Sequence, residues 1–392
     1  MGGIRVRRHK GIWIFTALCL LAATVVFCWW FFSGRFFDVT EDAYVNGNQV
    51  CLTPQIRGIV THVNVDDTFF VEEGQILVHL DETDCRIALG EAKAALGEMV
   101  RKVTQMFENV YVIGSEYEMR QAEMLNKEID YVDRKSVVSL GAVSEEEYIQ
   151  SESSYFVARS ALQQIKYKLM QAISEVQNTT VSTHPLVEKA KENVRKAWVD
   201  LERCTLRAPA SGIVALRQVQ VGESVNPTTP LLAIVPINQM WVDANFKEVD
   251  LANLRIGQEA SITADTYGRK VVYNGTVIGI GGGSGAVFSP LPPQNATGNW
   301  IKIVQRIPVR ISLDSDQLRK YPLRLGLSMK VSVDIRDKEG LRIPEVQKTT
   351  ALYETDVFKK QSDGAEAVIE DVIEQNSSFD FNIGKEISRL VH

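Results

Sequence analysis

Cysteine and histidine are scarce, and neither is arranged for chemistry. The five cysteines (Cys19, Cys28, Cys51, Cys85 and Cys204) form no CxxC pair and stand in no metal-ligand spacing with the five histidines, which argues against metal chemistry. There is no HExxH, no GxSxG, no Walker A sequence and no carboxylate pair in a catalytic setting. The nearest approach to a phosphate loop is Gly281-Gly282-Gly283-Ser284-Gly285. No helix follows it, since Ser289-Pro290-Leu291-Pro292-Pro293 comes next and GK[ST] is missing, so it reads as a mobile loop. A net charge of -6, with no basic stripe interleaved with aromatics beyond the first ten residues, argues against nucleic acid as a partner. No catalytic residue, cofactor-binding residue or metal ligand is assigned.

What is present is a repeated β pattern. PQIRGIVTHVNVDDTFFVEEGQILVHLD, from Pro54 to Asp81, returns as RAPASGIVALRQVQVGESVNPTTPLLAIVP, from Arg207 to Pro236. At one constant offset Gly58 meets Gly212, Val60 meets Val214, Val65 meets Val219, Val71 meets Val225, Leu77 meets Leu231 and Leu80 meets Ile234. Each copy alternates apolar and polar residues around Gly turns, the pattern of short half-buried strands. Two half-sheets this small bury little alone. Residues 49–81 and 206–237 are therefore expected to close on each other as one sandwich, with 82–205 projecting from it.

Before the first copy, residues 1–10 carry Arg5, Arg7, Arg8 and Lys10, and residues 11–32 hold no charge. At about 1.5 Å per residue that run reaches roughly 33 Å, enough for a bilayer core. The basic flank places the N-terminus in the cytoplasm and the remainder outside it. No small-x-small cleavage site follows the run, so it reads as an uncleaved single-pass anchor in the cytoplasmic membrane. Residues 33–48 form a polar connector, either a membrane-proximal strand or a linker.

Within 82–205 the apolar period changes from 2 to 3.5. Leu89, Ala92, Leu96, Met99, Val103, Met106, Val110, Ile113 and Tyr117 are spaced by threes and fours. So are Tyr155, Ala158, Leu162, Ile165, Leu169, Ala172 and Val176 on the return. Beyond Tyr117 the frame is expected to slip to Ala122, Leu125, Ile129 and Val132, and Asn178 to Pro185 interrupts the return arm. Gly141 marks the turn, and Ser144 with Glu147 makes a capping box. The reading is an antiparallel coiled-coil hairpin on the order of 80 Å long. Cys85 and Cys204 stand at its two ends. They are either two separate small residues or a facing pair, whose disulfide would close a loop of about 120 residues and contribute roughly 5 kcal/mol.

Residues 238–337 carry short strands at 241–246, 260–264, 271–280, 307–313 and 329–335, with a short helical piece at 248–254, as a small β-barrel would. Residues 338–392 form a weakly patterned tail in which only 365–373 reads as helical.

A sandwich built from two half-motifs resembles the biotinyl and lipoyl carrier domains. Here the hairpin that would present the modified Lys is replaced by the coiled coil. The whole of residues 5 to about 337 instead resembles the membrane fusion proteins, or periplasmic adaptors of the HlyD type, and within them the EmrA branch. The runs that carry the resemblance are Asn193-Val194-Arg195-Lys196-Ala197-Trp198, Ser224 to Leu231, Met240 to Glu248 and Gln294-Asn295-Ala296-Thr297-Gly298-Asn299-Trp300-Ile301-Lys302. The resemblance implies a mixed α and β, elongated molecule: an N-terminal transmembrane helix, a split lipoyl-like sandwich with an inserted antiparallel coiled-coil hairpin, then a small β-barrel.

The resemblance also implies a function without bond chemistry. Such an adaptor links an inner-membrane, proton-driven transporter of the major facilitator type to an outer-membrane TolC-like channel, for export of hydrophobic toxic compounds. It does so as a trimer or hexamer. An ATP-driven type I secretion pump as partner, or a structural envelope spacer, are the alternatives. The family's hairpin tip carries Arg-x-x-x-Leu-x(6)-Ser. Counting back from Ser144 puts Val137 at the Leu place and Asp133 at the Arg place, with Arg134 one residue off, so Arg134, Val137 and Ser144 are the candidate channel contacts. The apolar, Pro-rich loop with Phe288, Leu291 and Trp300 is the candidate contact with the transporter or the substrate path.

Overall fold

The computed structural model describes residues 5–32, 34–285, 287–288, 304–344 and 351–377. Helix α1 covers Arg5–Phe32. Its threonines return their hydroxyls to the helix backbone, Thr16 Oγ1 to the Trp13 carbonyl at 2.9 Å and Thr24 Oγ1 to the Leu20 carbonyl at 2.7 Å, so neither needs an outside partner. Side chains of α1 are described over 12–25, and its large apolar ones there are exposed. Among the described residues no helix is long and apolar enough to cross a membrane, that described stretch being shorter than the roughly 20 residues a bilayer core takes. A single helical turn then leads into strand β1 (Phe37–Gly47).

The two repeat copies form eight strands. The first gives β2 (Val50–Leu52), β3 (Gly58–Val63), β4 (Phe70–Val71) and β5 (Ile76–Leu80); the second gives β6 (Thr205–Arg207), β7 (Gly212–Ala215), β8 (Ser224–Val225) and β9 (Leu232–Val235). They build two sheets, β2-β9-β7-β4 and β6-β5-β3-β8. Exchanging each strand for its counterpart in the other copy converts one sheet order into the other. The sandwich therefore has an internal two-fold, and neither half owns a sheet. The paired residues meet as this symmetry requires: Val60 and Val214, Val65 and Val219, Val71 and Val225, Leu77 and Leu231, and Leu80 and Ile234 are all buried in one core. Gly212 is needed where β7 crosses β9, because a Cβ there would strike the Val235 carbonyl oxygen.

Between the halves, α2 (Thr83–Val137), α3 (Glu145–Val176) and α4 (Pro185–Glu202) form the hairpin. At about 1.5 Å per residue, the 55 residues of α2 extend roughly 82 Å. The return arm breaks where Asn178 takes a left-handed φ of 61°. It restarts with Pro185 in the first turn of α4 and the His184 ring as cap, Nδ1 accepting the Leu186 amide at 3.2 Å. On α3 the buried positions are Ser151, Ala158, Ile165, Leu169, Ala172 and Val176, which continues a 3.5-residue period.

Two expectations for the hairpin are corrected. At the base, α2 buries Val100, Phe107 and Gly114 besides Leu89, Leu96, Val103 and Val110, a wider face than a two-helix seam. The reason is that α4 and a further helix from the tail pack there too. In the distal half the frame does not slip. Tyr131 stacks on Tyr148 and Tyr155, at ring-centroid distances of 5.9 and 5.5 Å, so the seam keeps its register through Met124, Glu128 and Tyr131. Leu125, Ile129 and Val132 are instead 54%, 52% and 53% exposed. A seam shared by aromatic, methionine and glutamate stems holds at that register because the tyrosine stack fills it.

The barrel consists of β10 (Met240–Lys247), β11 (Glu259–Ala264), β12 (Val272–Ile280), β13 (Arg306–Leu313) and β14 (Ser328–Asp334), and it closes in the order β1-β10-β13-β12-β11-β14. The connector is thus a strand over most of its length: β1 lies between β10 and β14, with Thr40, Ala43 and Val45 turned inward. Phe246, Ile262, Tyr273, Ile311 and Val331 fill the core, and the Tyr273 hydroxyl donates to the Tyr321 carbonyl at 2.9 Å. The short helix α5 (Ser315–Lys320), capped by Asp314, adds Leu318 to that core.

The tail is not featureless. Leu341 accepts the Ile256 amide at 2.9 Å beside the barrel, and Thr355 donates to Glu73 on the sandwich at 3.0 Å. Helix α6 (Ala365–Asn376) then lies on the hairpin base, burying Ile369 and Val372 against Leu96, Val100, Val103 and Val194. The chain after the barrel therefore ties all three folded parts together.

Candidate partner-binding surfaces

The hairpin tip is ordered by one local network. Ser144 caps α3 with both arms of the box: its Oγ accepts the Glu147 amide at 3.3 Å, and its own amide donates to Glu147 Oε2 at 3.0 Å. Its hydroxyl donates to the same oxygen at 2.9 Å. The Ser144 amide, then its hydroxyl, hold the Glu147 carboxyl below the usual carboxylate range. Arg134 donates from Nε to Asp130 at 3.0 Å and from Nη1 to the Glu147 carbonyl at 3.2 Å, so it clips the two arms together. Val137 ends α2 and is half-buried, and Leu140 beside it is 79% exposed. The structure thus places Arg134, Val137 and Ser144 within one turn region, and it gives Arg134 and Ser144 internal partners.

Below the tip, one side of the hairpin gathers most of the exposed apolar side chains, interspersed on α3 with Glu152, Arg159 and Lys166. Leu125, Ile129 and Val132 each follow a seam residue by one position on α2. Ile149, Phe156 and Met170 do the same after Tyr148, Tyr155 and Leu169 on α3, and all are more than half exposed. One residue is a turn of about 100°. On antiparallel helices that turn runs in mirrored senses, so both stripes come to the same face. The opposite face, one position before the seam, carries Glu123, Lys127 and Asp130 on α2, with Gln150, Ser154 and Gln164 and one exposed apolar residue, Val157, on α3. The 3-4 spacing that revealed the stripe in the sequence cannot by itself tell a seam from its neighbour.

At the barrel loop, Phe288 is 72% exposed and lies against Gly283, while Leu291 and Trp300 fall outside the described residues. Cys85, in the first turn of α2, and Cys204, between α4 and β6, adjoin each other at the base of the hairpin, both as thiols. Cys204 is fully buried and donates to the Asp200 and Asp81 carbonyls at 3.6 and 3.8 Å. Burial, and then the Cys85 thiol beside it, push its own thiol well up.

Two further features were invisible to the reading of the sequence. Trp198 and Arg195 on α4 hold the tail: Trp198 Nε1 donates to the Asp363 carbonyl at 3.2 Å, and Arg195 pairs with Glu366, lowering that carboxyl. Nothing in the tail's composition signals this, apart from the i, i+3 pairing of Ile369 and Val372. In the barrel, the Asp38 carboxyl has a buried Oδ2 without a hydrogen-bond partner. Burial pushes it up, and the Asp250 carboxylate adds to the effect against an opposing pull from Lys338.

Comparison with known proteins finds relatives along nearly the whole chain. Residues 83–204 match the family model for the EmrA α-helical hairpin domain. The multidrug export protein EmrA of Haemophilus influenzae is 38% identical over 370 residues, which is 94% of this chain and 95% of that protein. EmrA of Escherichia coli K12 is 40% identical over 91% of each chain, and the fatty acid resistance protein FarA of Neisseria gonorrhoeae is 38% identical over 88% of this chain and 90% of its own. A solved structure of the periplasmic adaptor protein EmrA is 19% identical, with a TM-score of 0.39 over 76% of this chain and 99% of its own. With identity at this level along nearly the full length of both partners, this chain belongs to the EmrA family of membrane fusion proteins.

Proposed function

We propose that this chain is the periplasmic adaptor of a tripartite drug efflux pump, held to the inner membrane by residues 11–32 and reaching outward with its hairpin. The observation that carries the reading is the continuity of the support. The hairpin grows from both halves of an interlocked sandwich, β1 closes the barrel between β10 and β14, and the tail pins the hairpin base. A load applied at the tip is thereby passed to the barrel through paired strands and packed helices.

The uncharged run at 11–32 and the basic residues before it support a single membrane-spanning helix with the N-terminus inside. The barrel and its Phe288 to Trp300 loop are the side facing an inner-membrane transporter of the major facilitator type. The tip, with Leu140 exposed beside Arg134 and Val137, faces a TolC-like channel. The one-sided apolar face supports self-association of hairpins into a trimer or hexamer. In this reading the chain moves substrate by architecture and breaks no bond.

Affinity purification of the full-length protein in mild detergent, with mass spectrometry of what accompanies it, tests the assignment. A polytopic partner without a nucleotide-binding domain is expected. An ATPase-bearing partner would reassign the chain to type I secretion, and no transporter at all would leave an envelope spacer. Loss of export on deleting Phe288 to Pro293 is expected if that loop serves the transporter or the substrate path; unchanged export would remove it from the reading.

A further inference from the structure

The two chain crossings between sandwich and hairpin meet at one point. The Leu80 amide at the end of β5 donates to the Cys204 carbonyl at 2.8 Å, and the Cys204 thiol donates to the carbonyl of Asp81, the residue that follows Leu80. Cys85 enters from the first turn of α2 and packs against the same core as Cys204. Cys85 is partly buried, whereas Cys204 is sealed. No other described cysteine adjoins another: Cys19 lies in α1, and Cys51 is exposed on β2.

We propose that Cys85 and Cys204 are an oxidisable dithiol that locks the base of the hairpin to the sandwich. The proposal rests on the extracytoplasmic placement argued above, because that is where thiols meet an oxidant able to act on them. The oxidant is a protein disulfide of the dithiol oxidase class. The Cys85 sulfur, the more accessible of the two, attacks one sulfur of that disulfide as thiolate; the oxidant's S–S bond breaks and a mixed disulfide forms. Cys204, giving up its proton as it attacks, then displaces the oxidant from the Cys85 sulfur, so the Cys85–Cys204 bond forms and the oxidant leaves as a dithiol carrying both electrons and both protons. Accessibility dictates this order: only Cys85 meets a macromolecule, and the buried Cys204 is placed to resolve. Once closed, the bond spans both chain crossings and fixes the angle at which α2 and α4 leave the sandwich. In the reduced state the junction is held by backbone hydrogen bonds, by the Cys204 thiol's bond to the Asp81 carbonyl and by packing against the sandwich core, with no covalent link.

The test uses the full-length protein in cells. After acid quenching, the denatured and unreduced protein is alkylated, digested and analysed by mass spectrometry. A linked peptide containing Cys85 and Cys204 is expected, with neither recovered as an alkylated thiol until reductant is added. Recovery of both as alkylated thiols overturns the proposal. Cys51 then tells which premise failed: labelling by a membrane-impermeant maleimide in spheroplasts shows the placement correct and the disulfide absent, and no labelling shows the placement wrong. As an independent readout, reductant should lower the thermal midpoint of the parent protein and leave Cys85→Ser unchanged. Equal responses of the two would also overturn it.

Discussion

The indole of Trp198, on the last helix of the hairpin, closes over Gly364 at the head of α6 and donates its Nε1 hydrogen to the neighbouring Asp363 carbonyl. Gly364 has a φ of +90°, and a Cβ there would come within 3.0 Å of the Trp198 ring. Conformation and space therefore both demand glycine at the point where the tail turns onto the hairpin base.

Replacing Gly364 with valine should undock α6. A β-branched residue at this φ costs of order 1–3 kcal/mol in backbone strain alone, and the clash with the indole adds to that. The released helix re-exposes Ile369 and Val372 together with the part of α2 they cover. Amide hydrogen exchange over 365–376 should become fast, and Trp198 emission should shift to the red, while exchange in the barrel stays slow. Protection of 365–376 equal to that of the parent protein would show that the tail is held by something other than this contact.

The internal two-fold of the sandwich makes a quantitative demand. Leu77 and Leu231 occupy equivalent places, and both are buried to within 1%. Each Leu→Ala change should cost about 2–5 kcal/mol, and the two costs should agree within about 1 kcal/mol by the spread expected for equivalent sites. Chemical denaturation of the two variants measures this. Unequal costs would mean that the halves are supported differently from outside, with the hairpin side as the first suspect.

The sandwich was legible because a repeat is a long-range signal written twice. Gly58/Gly212 through Leu80/Ile234 fixed both the strands and the fact that the halves combine. Residues 37–47 were ambiguous for the opposite reason: a barrel strand whose partners lie about 200 and about 290 residues away looks locally like any polar extended segment. The seam error has a similar source. Leu125, Ile129 and Val132 have seam spacing, and only the tyrosine stack at 131, 148 and 155 shows that the seam lies one residue earlier. For the tail, Ile369 and Val372 give too little periodicity in a single short helix, and their burial depends on α2 and α4. At the tip, the capping box could be read directly, because Ser144 and Glu147 interact within one turn.

Ser144→Ala tests that box. Loss of the cap should destabilise α3 by about 1 kcal/mol, seen as faster exchange over the first turns of the helix. The pH dependence has a definite sign. The Glu147 carboxyl is held down in the folded state, so its contribution is present above the ordinary carboxylate value and fades as pH falls through the lowered one. Parent and variant should differ most at neutral pH, and the gap should narrow in acid without closing, because Oγ accepts the Glu147 amide at any pH and the Ser144 backbone amide holds the carboxyl in both. If Ser144 also contacts a channel, Ser144→Asp should restore the cap while leaving channel binding impaired.

Asp38 titrates in the other direction. Its carboxyl is raised in the folded barrel, so the folded state binds the proton more tightly than the unfolded chain. Stability then falls as pH rises from about the ordinary carboxylate value through the raised one, and the penalty is complete above it. Asp38→Asn should therefore raise the thermal midpoint at neutral pH, with the gain shrinking as the solution is acidified. A variant less stable than its parent at neutral pH would indicate that the charge is compensated, with Lys338 the nearest candidate.

The apolar face of the hairpin leads to the last prediction. Ile129 and Phe156 lie on opposite helices of one surface, and each is about half exposed, so in the isolated chain a charged replacement removes little packing. Ile129→Glu and Phe156→Glu should therefore change the thermal midpoint of the monomer little, as surface substitutions usually stay within about 0.5 kcal/mol. In an assembly the same changes place a carboxylate in an apolar contact, which costs far more unless it finds a partner. Sedimentation of the detergent-solubilised protein should show the variants shifted toward monomer, and the double variant more so than either single one. The polar face supplies the control, because Lys127→Glu alters charge on the other side of the same helix. If Lys127→Glu dissociates the oligomer as strongly as Ile129→Glu, assembly depends on net charge along the hairpin and not on this apolar surface.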